Sequence, residues 1–340
     1  MPQHDQRLLD LNAWLKPHLS NLFDRNGWGD VPEVSLAPAS SDASFRRYFR
    51  WEAAARSYIL MDAPPPQENC KPFVDMAALL AETGIHVPEV LAADLDRGFL
   101  LLTDLGKQTY LDVIDARNAD QLFADAIQAL LSFQEKAVPA TLPNYDDALL
   151  RRELQLFPEW YVQRHLGHSF TAEEQQLWDR TCELLIDSAL AQPTVLVHRD
   201  YMPRNLMLSQ PNPGVLDFQD AVIGPVTYDV TSLFKDAFLS WPEAQVLGWL
   251  QGYWEAARVK GVPVQSSFAE FHRASDLMGL QRHLKVIGIF ARICHRDGKP
   301  RYLRDVPRFF GYLNTVLSRR PELAGLKQLL EGLPQAQADS

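Results

Sequence analysis

Apolar residues recur three and four positions apart near the start of the chain. Leu8, Leu11, Trp14, Leu15, Leu19 and Leu22 share one stripe, and the spacing predicts an opening helix over 8–23. The pattern then changes. Residues 48–61 mix aromatic and aliphatic side chains in two short runs separated by EAAARS, which predicts a hairpin closed by Pro64-Pro65-Pro66. Helical spacing resumes over 73–82, Gly84 and Pro88 mark a turn, and 98–105 reads as a strand leading out of a small sheet-containing lobe. Beyond Tyr110, the segments 119–133, 151–165, 172–190 and 277–293 read as helices, so the second lobe is expected to be α-rich. The charged, proline-containing stretch after Lys299 breaks the helical pattern before a last helical portion.

A chain of 340 residues is long enough for two lobes. The predicted fold class is α+β, with a first lobe over 1–102, a hinge at 103–110, a second lobe over 111–330 and a flexible tail at 331–340. A composition of 46% hydrophobic and 22% charged residues is that of a soluble globular protein. The formal net charge of -10 argues against a broad nucleic-acid surface. No apolar run is long enough to span a membrane and no secretory leader opens the chain, so a cytoplasmic location is expected. Cys70, Cys182 and Cys294 are too scattered for a disulfide framework or a metal site, and nothing in the sequence specifies a protein partner.

The densest chemical signal is VLVHRDYMPRNLMLSQPNPGVLDFQDAVIGPVTYD, which runs from Val195 to Asp229. An apolar run leads into His198-Arg199-Asp200, Asn205 is followed by Leu206-Met207-Leu208, and Asn212-Pro213-Gly214 turns the chain toward Asp217. That alternation predicts strand, polar loop, strand and acidic turn. Phosphoryl transfer from ATP needs a carboxylate to orient the acceptor hydroxyl and oxygen ligands to hold Mg2+. Asp200 fits the first role, and Asn205 and Asp217 fit the second. His198 reads as a loop-stabilising residue, and Asp229 as a support for the loop. Arg199 and Arg204 read equally well as phosphate contacts or as members of ion pairs.

Phosphates also need donors from the first lobe. The stretch 40–49 offers Ser40, Ser41, Ser44 and Arg46 ahead of the hairpin, although it is not a P-loop. Arg47 stands beside Arg46, and only one of the two is expected to face phosphate. Thr103, Asp104 and Leu105 are candidates for the adenine hinge.

The ordered set His198, Asp200, Asn205 and Asp217 resembles the aminoglycoside phosphotransferase and kinase-like superfamily. The resemblance implies a bilobal protein-kinase-like fold, with Asp200 as catalytic base and Asn205 and Asp217 on the metal. It also makes 1–102 a nucleotide-binding lobe and 111–330 a catalytic and acceptor-binding one. Met61 stands where that superfamily commonly carries a lysine. The stretches SSDASFRRYFR, ILMDAPPPQENCKPF and GVLDFQDAVIGPVTYDVTSLFKD resemble more closely the bacterial cell-wall amino-sugar kinases, which phosphorylate the anomeric hydroxyl of N-acetylmuramate and N-acetylglucosamine in peptidoglycan recycling. An acidic sugar would favour a basic contact, for which Lys235, Arg282, His283 and Lys285 are candidates, and Trp249, Tyr253 and Trp254 could pack a sugar ring. Two other readings stand beside this one: an aminoglycoside or other small-molecule hydroxyl kinase, and a kinase-like binding protein without transfer activity.

Overall fold

The computed structural model describes residues 5–40, 45–53, 56–136 and 142–334. The chain divides into two compact units, one made of Met1–Gln108 with Met207–Gln219, the other of Thr109–Leu206 with Asp220–Ser340. This differs from a single cut at 103–110. Met207–Gln219 groups with the first unit because its backbone bonds there: Val215 N–H donates to the His86 carbonyl at 2.8 Å and Leu208 N–H to the Gln108 carbonyl at 2.9 Å.

The first unit opens with α1 (Gln6–Asn26), which starts at Asp5, whose carboxylate accepts the Leu8 N–H, and ends at Gly27 in the left-handed region. Strands β1 (Leu36–Ser40), β2 (Arg47–Ala53), β3 (Arg56–Asp62), β4 (Val90–Asp94) and β5 (Phe99–Thr103) form one antiparallel sheet in the order β1-β2-β3-β5-β4. Strand alternation puts Phe49, Trp51, Tyr58, Leu60, Phe99 and Leu101 on one face, where Leu11, Trp14, Leu15, Leu19 and Phe23 of α1 cover them. The second helix, α2 (Lys71–Glu82), follows β3. The sequence pattern shows β2, β3 and β5 but not β1 or β4. Those two are the edges of the sheet, and neither Pro38 nor the alanines of β4 give an alternating signal.

The second unit holds α3 (Tyr110–Val113), α4 (Ala119–Gln134), α5 (Asp147–Leu154), a π-helix (Phe157–His165), α6 (Ala172–Leu190) and strand β6 (Thr194–Val197). Short extended pieces β7 (Leu206–Met207) and β8 (Gly214–Val215) precede β9 (Val222–Pro225), which pairs antiparallel with β6. Then come α7 (Thr227–Phe234), α8 (Glu243–Lys260), α9 (Phe268–Asp297), α10 (Val306–Arg319) and α11 (Ala324–Gly332). The single helix expected over 151–165 is broken in two. Pro158 has no N–H to continue the α-helical ladder, and the wider winding begins there. Helix α9 exceeds its predicted span because Ser267 and Glu270 form a capping box at its start and Gly298 ends it at φ 66. Among the described residues, no helix is long and apolar enough to cross a membrane.

The contact between α9 and the π-helix segment sets the depth at which α9 carries its buried polar residues. A Cβ on Gly288 would lie 2.4 Å from the backbone carbon and oxygen of Leu156. Gly288→Ala is therefore expected to lower stability by at least about 2 kcal/mol, since backbone blocks the added methyl. Gly248→Ala in α8, whose Cβ meets nothing within 4 Å, is the control and should be neutral or mildly stabilising. Urea unfolding midpoints of the two variants check this.

Candidate active site

In the second unit, the loop after β6 is held from beneath by α7. The carboxylate of Asp229, 0% exposed, accepts the backbone N–H of His198 at 2.7 Å and of Arg199 at 3.0 Å. These bonds fix a turn in which Arg199, a non-glycine residue, sits at φ 75. The His198 ring is buried, and its Nδ1 accepts the Asp200 N–H at 3.2 Å, so it braces the loop from inside. Tyr201 donates to the Ala126 carbonyl of α4 at 2.8 Å, and Asn205 Nδ2 donates to the Asp200 carbonyl at 2.9 Å. Asp200 and Asn205 are thereby brought together on one braced loop.

Burial pushes the Asp229 carboxyl up to about 7, against the pull of its two N–H donors and of Arg282, while the nearby charge of Asp200 adds to the rise.

The Arg199 side chain is anchored separately. Its guanidinium meets Glu153 of α5 at 2.5 Å, and Lys285 of α9 meets the same carboxylate at 3.0 Å. Tyr145 also donates to Glu153, Gln281 donates at 3.2 Å, and Lys285 donates to the Tyr228 hydroxyl at 3.0 Å. Burial alone would raise the Glu153 carboxyl, but the charges of Lys285 and Arg199 outweigh it and bring it down to about 2. The second nitrogen of Arg199 reaches the Asp220 carbonyl at 3.4 Å, which links the catalytic loop to the chain just after the acidic turn.

Asp217 belongs to the first unit, where it sits exposed at φ 63 and accepts a hydrogen bond from Gln219 Nε2 at 2.8 Å. Phe218 behind it is fully buried, with its ring centroid 4.9 Å from that of Phe73. The arginines of the hairpin are sorted by partner. Arg47 is bound to Asp5 and Asp62, and Arg50 to Asp104 at 2.6 Å. Arg46 pairs with Glu68 at 3.0 Å and lies within electrostatic reach of Asp217. Met61 is wholly buried.

Ser41 and Ser44 lie outside the described residues, and Ser40 enters only as the last residue of β1, its backbone opposite Tyr48. Asp104 turns inward, accepting from Arg50, Ser57 and the Gly106 N–H, so its side chain is committed to the fold. The Thr103 hydroxyl accepts the Glu89 N–H at 2.8 Å, and Leu105 is buried.

No cluster of three His, Cys, Asp or Glu side chains suited to a metal exists among the described residues. The donor chemistry of Asn205 and Asp217 nevertheless fits Mg2+. Asn205 donates its side-chain nitrogen to the Asp200 carbonyl, and an amide oxygen and a carboxylate are both oxygen ligands of the kind Mg2+ takes.

Sequence reasoning missed Glu153 and the working role of Lys285. In sequence Glu153 is an ordinary charge on a helix, and its partners lie 46 and 128 positions away at Arg199 and Gln281. Trp249, Tyr253 and Trp254 are engaged by Asp120, Gln134 and the Gln265 carbonyl respectively.

A five-stranded sheet unit, an α-rich unit and the loop carrying Asp200 and Asn205 define a kinase-like small-molecule phosphotransferase. A model of the phosphotransferase enzyme family matches residues 35–268, and the chain belongs to that family. It is 68% identical to an N-acetylmuramate/N-acetylglucosamine kinase of Pseudomonas putida over 98% of each chain. It is 65% identical to the kinase of the same name from Pseudomonas aeruginosa, covering 97% of this chain and 98% of that one. Among solved structures, the fold is similar to ADP-bound aminoglycoside phosphotransferase APH(2'')-Ib, with a TM-score of 0.57 at 15% identity over 88% of this chain and 98% of that one. It is also similar to a choline kinase of Streptococcus pneumoniae, with a TM-score of 0.60 at 13% identity over 88% and 99%. The chain is an ATP-dependent phosphotransferase acting on an alcohol group.

Two predictions follow from the buried carboxylates. Glu153→Ala leaves Arg199 and Lys285 without their shared counter-charge and is expected to cost about 3–5 kcal/mol of stability, read from denaturant unfolding at neutral pH. Because the folded Glu153 carboxyl lies below its unfolded value, the contribution is complete above about pH 4.5 and is lost as pH falls toward about 2. Asp229 has the opposite sign. Its raised carboxyl favours the fold at low pH, an effect lost as pH rises through about 7, whereas its grip on the loop N–H groups is strongest when ionised. A kcat profile with an acid limb centred near pH 7, flattened in Asp229→Asn, is the expected signature.

Proposed function

We propose that this enzyme transfers the γ-phosphoryl group of ATP to the anomeric hydroxyl of N-acetylmuramate and of N-acetylglucosamine, giving the sugar 1-phosphates in peptidoglycan recycling. The observation that carries this reading is 68% and 65% identity, over nearly the whole chain, to two kinases of that name.

In this reading, Asp200 accepts the hydrogen bond of the C1 hydroxyl and takes its proton as the sugar oxygen bonds to the γ-phosphorus and ADP leaves. Asn205 and Asp217 would hold Mg2+, which supplies charge neutralisation at the phosphate oxygens. The loop bracing by Asp229, His198 and Arg199 keeps Asp200 from drifting, and effective orientation accounts for much of the barrier lowering in such transfers. Arg46 supplies the first-unit cation that Met61 cannot. It has Glu68 to hold it and Asp217 within electrostatic reach, whereas Arg47 is spent on Asp5 and Asp62. Residues 1–102 bind the nucleotide and 111–330 the acceptor. With the Asp104 side chain engaged, hinge contacts to adenine fall to the backbone around Leu105.

ATP turnover on a panel of amino sugars and aminoglycosides tests the reading. Phosphorylation of both named sugars at C1 is expected, with kcat falling by about 10²–10⁴-fold in Asp200→Ala. Arg46→Met should raise KM for ATP while leaving KM for the sugar in place. Nucleotide binding without transfer to either sugar would overturn the proposal.

A further inference from the structure

In the second unit, Asp236 and Arg282 are buried charged groups whose hydrogen bonding is incomplete among the described residues. Asp236, just beyond α7, is 1% exposed; its Oδ1 accepts the Ala237 N–H at 2.5 Å, while Oδ2 is buried with no partner among the described residues. Arg282 of α9 is 2% exposed, and both Nε and Nη1 are buried without partners among the described residues. The two groups sense each other. Burial pushes the Asp236 carboxyl up to about 6, and Arg282 is the strongest influence holding it from rising further, with Arg204, next to Asn205, acting in the same direction. Arg282 also acts on Asp229, the carboxylate under the catalytic loop.

The surroundings of this pair are tied down. Tyr312 of α10 donates to the Leu239 carbonyl at 2.7 Å and to the Asp236 carbonyl at 3.2 Å, Arg308 donates to Ser240 at 2.7 Å, and the His283 ring lies 5.0 Å from that of Tyr312. The backbone around the pair is thus held, while side-chain nitrogens of Arg308 and His283 beside it are, like those of Arg282, unpartnered among the described residues; a polar ligand would supply missing partners there, because unmade buried hydrogen bonds are costly.

The other basic candidates for an acidic sugar are committed elsewhere. Lys285 serves Glu153 and Tyr228, and Lys235 lies 3.6 Å from Asp276. Burial holds His283 well below the usual imidazole range, so it carries no charge at neutral pH. Arg282 and His283 both have buried nitrogens unpartnered among the described residues, and of the two it is the Arg282 guanidinium whose charge acts on Asp236, so its N–H groups are offered beside a carboxylate. An anionic group placed on Arg282 would be repelled by Asp236; a neutral hydroxyl or amide, which both donates and accepts, satisfies both.

We propose that Asp236 and Arg282 form the acceptor-binding pair, Asp236 Oδ2 accepting from, and Arg282 donating to, neutral groups that N-acetylmuramate and N-acetylglucosamine have in common. This rests on the function proposed above. It makes the lactyl carboxylate, the group that separates the two sugars, a bystander at this pair, and it accounts for one site serving both.

The test compares wild type with Asp236→Asn, Arg282→Lys and Arg282→Met in steady-state kinetics on both sugars. Sugar-induced shifts in Tm, measured in parallel, report binding independently of turnover. In the variants KM should rise by about tenfold or more for both sugars and by similar factors, while KM for ATP holds. The sugar-induced Tm shift should shrink in step. An unchanged sugar KM overturns the proposal. So does a loss confined to N-acetylmuramate, which would place the lactyl group on Arg282, or a fall in kcat alone, which would make the pair a support for Asp229. Arg282→Lys retains the charge should Arg282→Met fail to fold. If the wild type uses neither sugar, the functional reading fails by itself, and the same KM comparison on the acceptor it does use then decides the role of the pair.

Discussion

The left-handed turn at Arg199 is the constraint on which the catalytic loop depends. A residue with a side chain at φ 75 is held there only if its surroundings outweigh the strain, and two buried carboxylates do so from different sides. Asp229 takes the backbone N–H groups of the turn, and Glu153 takes the guanidinium. Neither contact is local. Asp229 brings α7 under the loop, and Glu153 ties the loop to α5 and, through Lys285 and Gln281, to α9. The conformation of three residues is thus specified by helices drawn from most of the second unit.

The same division explains what could be read from the sequence. The loop chemistry at His198, Asp200, Asn205 and Asp217 is compact in sequence, and so are the helical stripes of α1, α4 and α6. Each was legible because the signal is complete within one segment. Glu153 was not, since nothing in its own helix distinguishes a solvated glutamate from one that binds four donors, three of them contributed by Arg199, Gln281 and Lys285 far along the chain. The edge strands β1 and β4 were missed for a related reason: pairing with neighbours makes them strands, and their own residues carry little alternation. The π-helix shows a third kind of limit. Periodicity predicted a helix there, and only the proline indicated that its winding would change.

In the first unit, adjacent arginines have been given different work by strand geometry. Arg47 lies opposite Asp62 across β2 and β3 and meets both that residue and Asp5, while Arg46, just before the strand, meets Glu68 instead. A sequence reading can see two basic residues but not which acid each will reach. The burial of Met61 shows why the loss of a lysine at that position is tolerated by the fold. The side chain is part of the apolar interior, and in the proposed reading Arg46 supplies a cation from a different strand boundary.

The polar groups buried in the second unit fall into two kinds, and the difference bears on function. Around Glu153, two cations, a phenol and an amide converge on one carboxylate, an arrangement that is rigid because any displacement breaks several bonds together. Around Asp236 and Arg282 the backbone is also fixed, yet Asp236 Oδ2 and two guanidinium nitrogens of Arg282 are unmatched among the described residues. A buried network that existed only for stability would gain by closing those bonds, or by replacing both groups with apolar ones. Retaining a buried acceptor and donor that act on each other, with Arg282 also acting on Asp229, makes sense if a third polar molecule completes them. In the proposed reading, the Glu153 cluster fixes the loop that carries Asp200, and the pair of Asp236 and Arg282 contacts the acceptor.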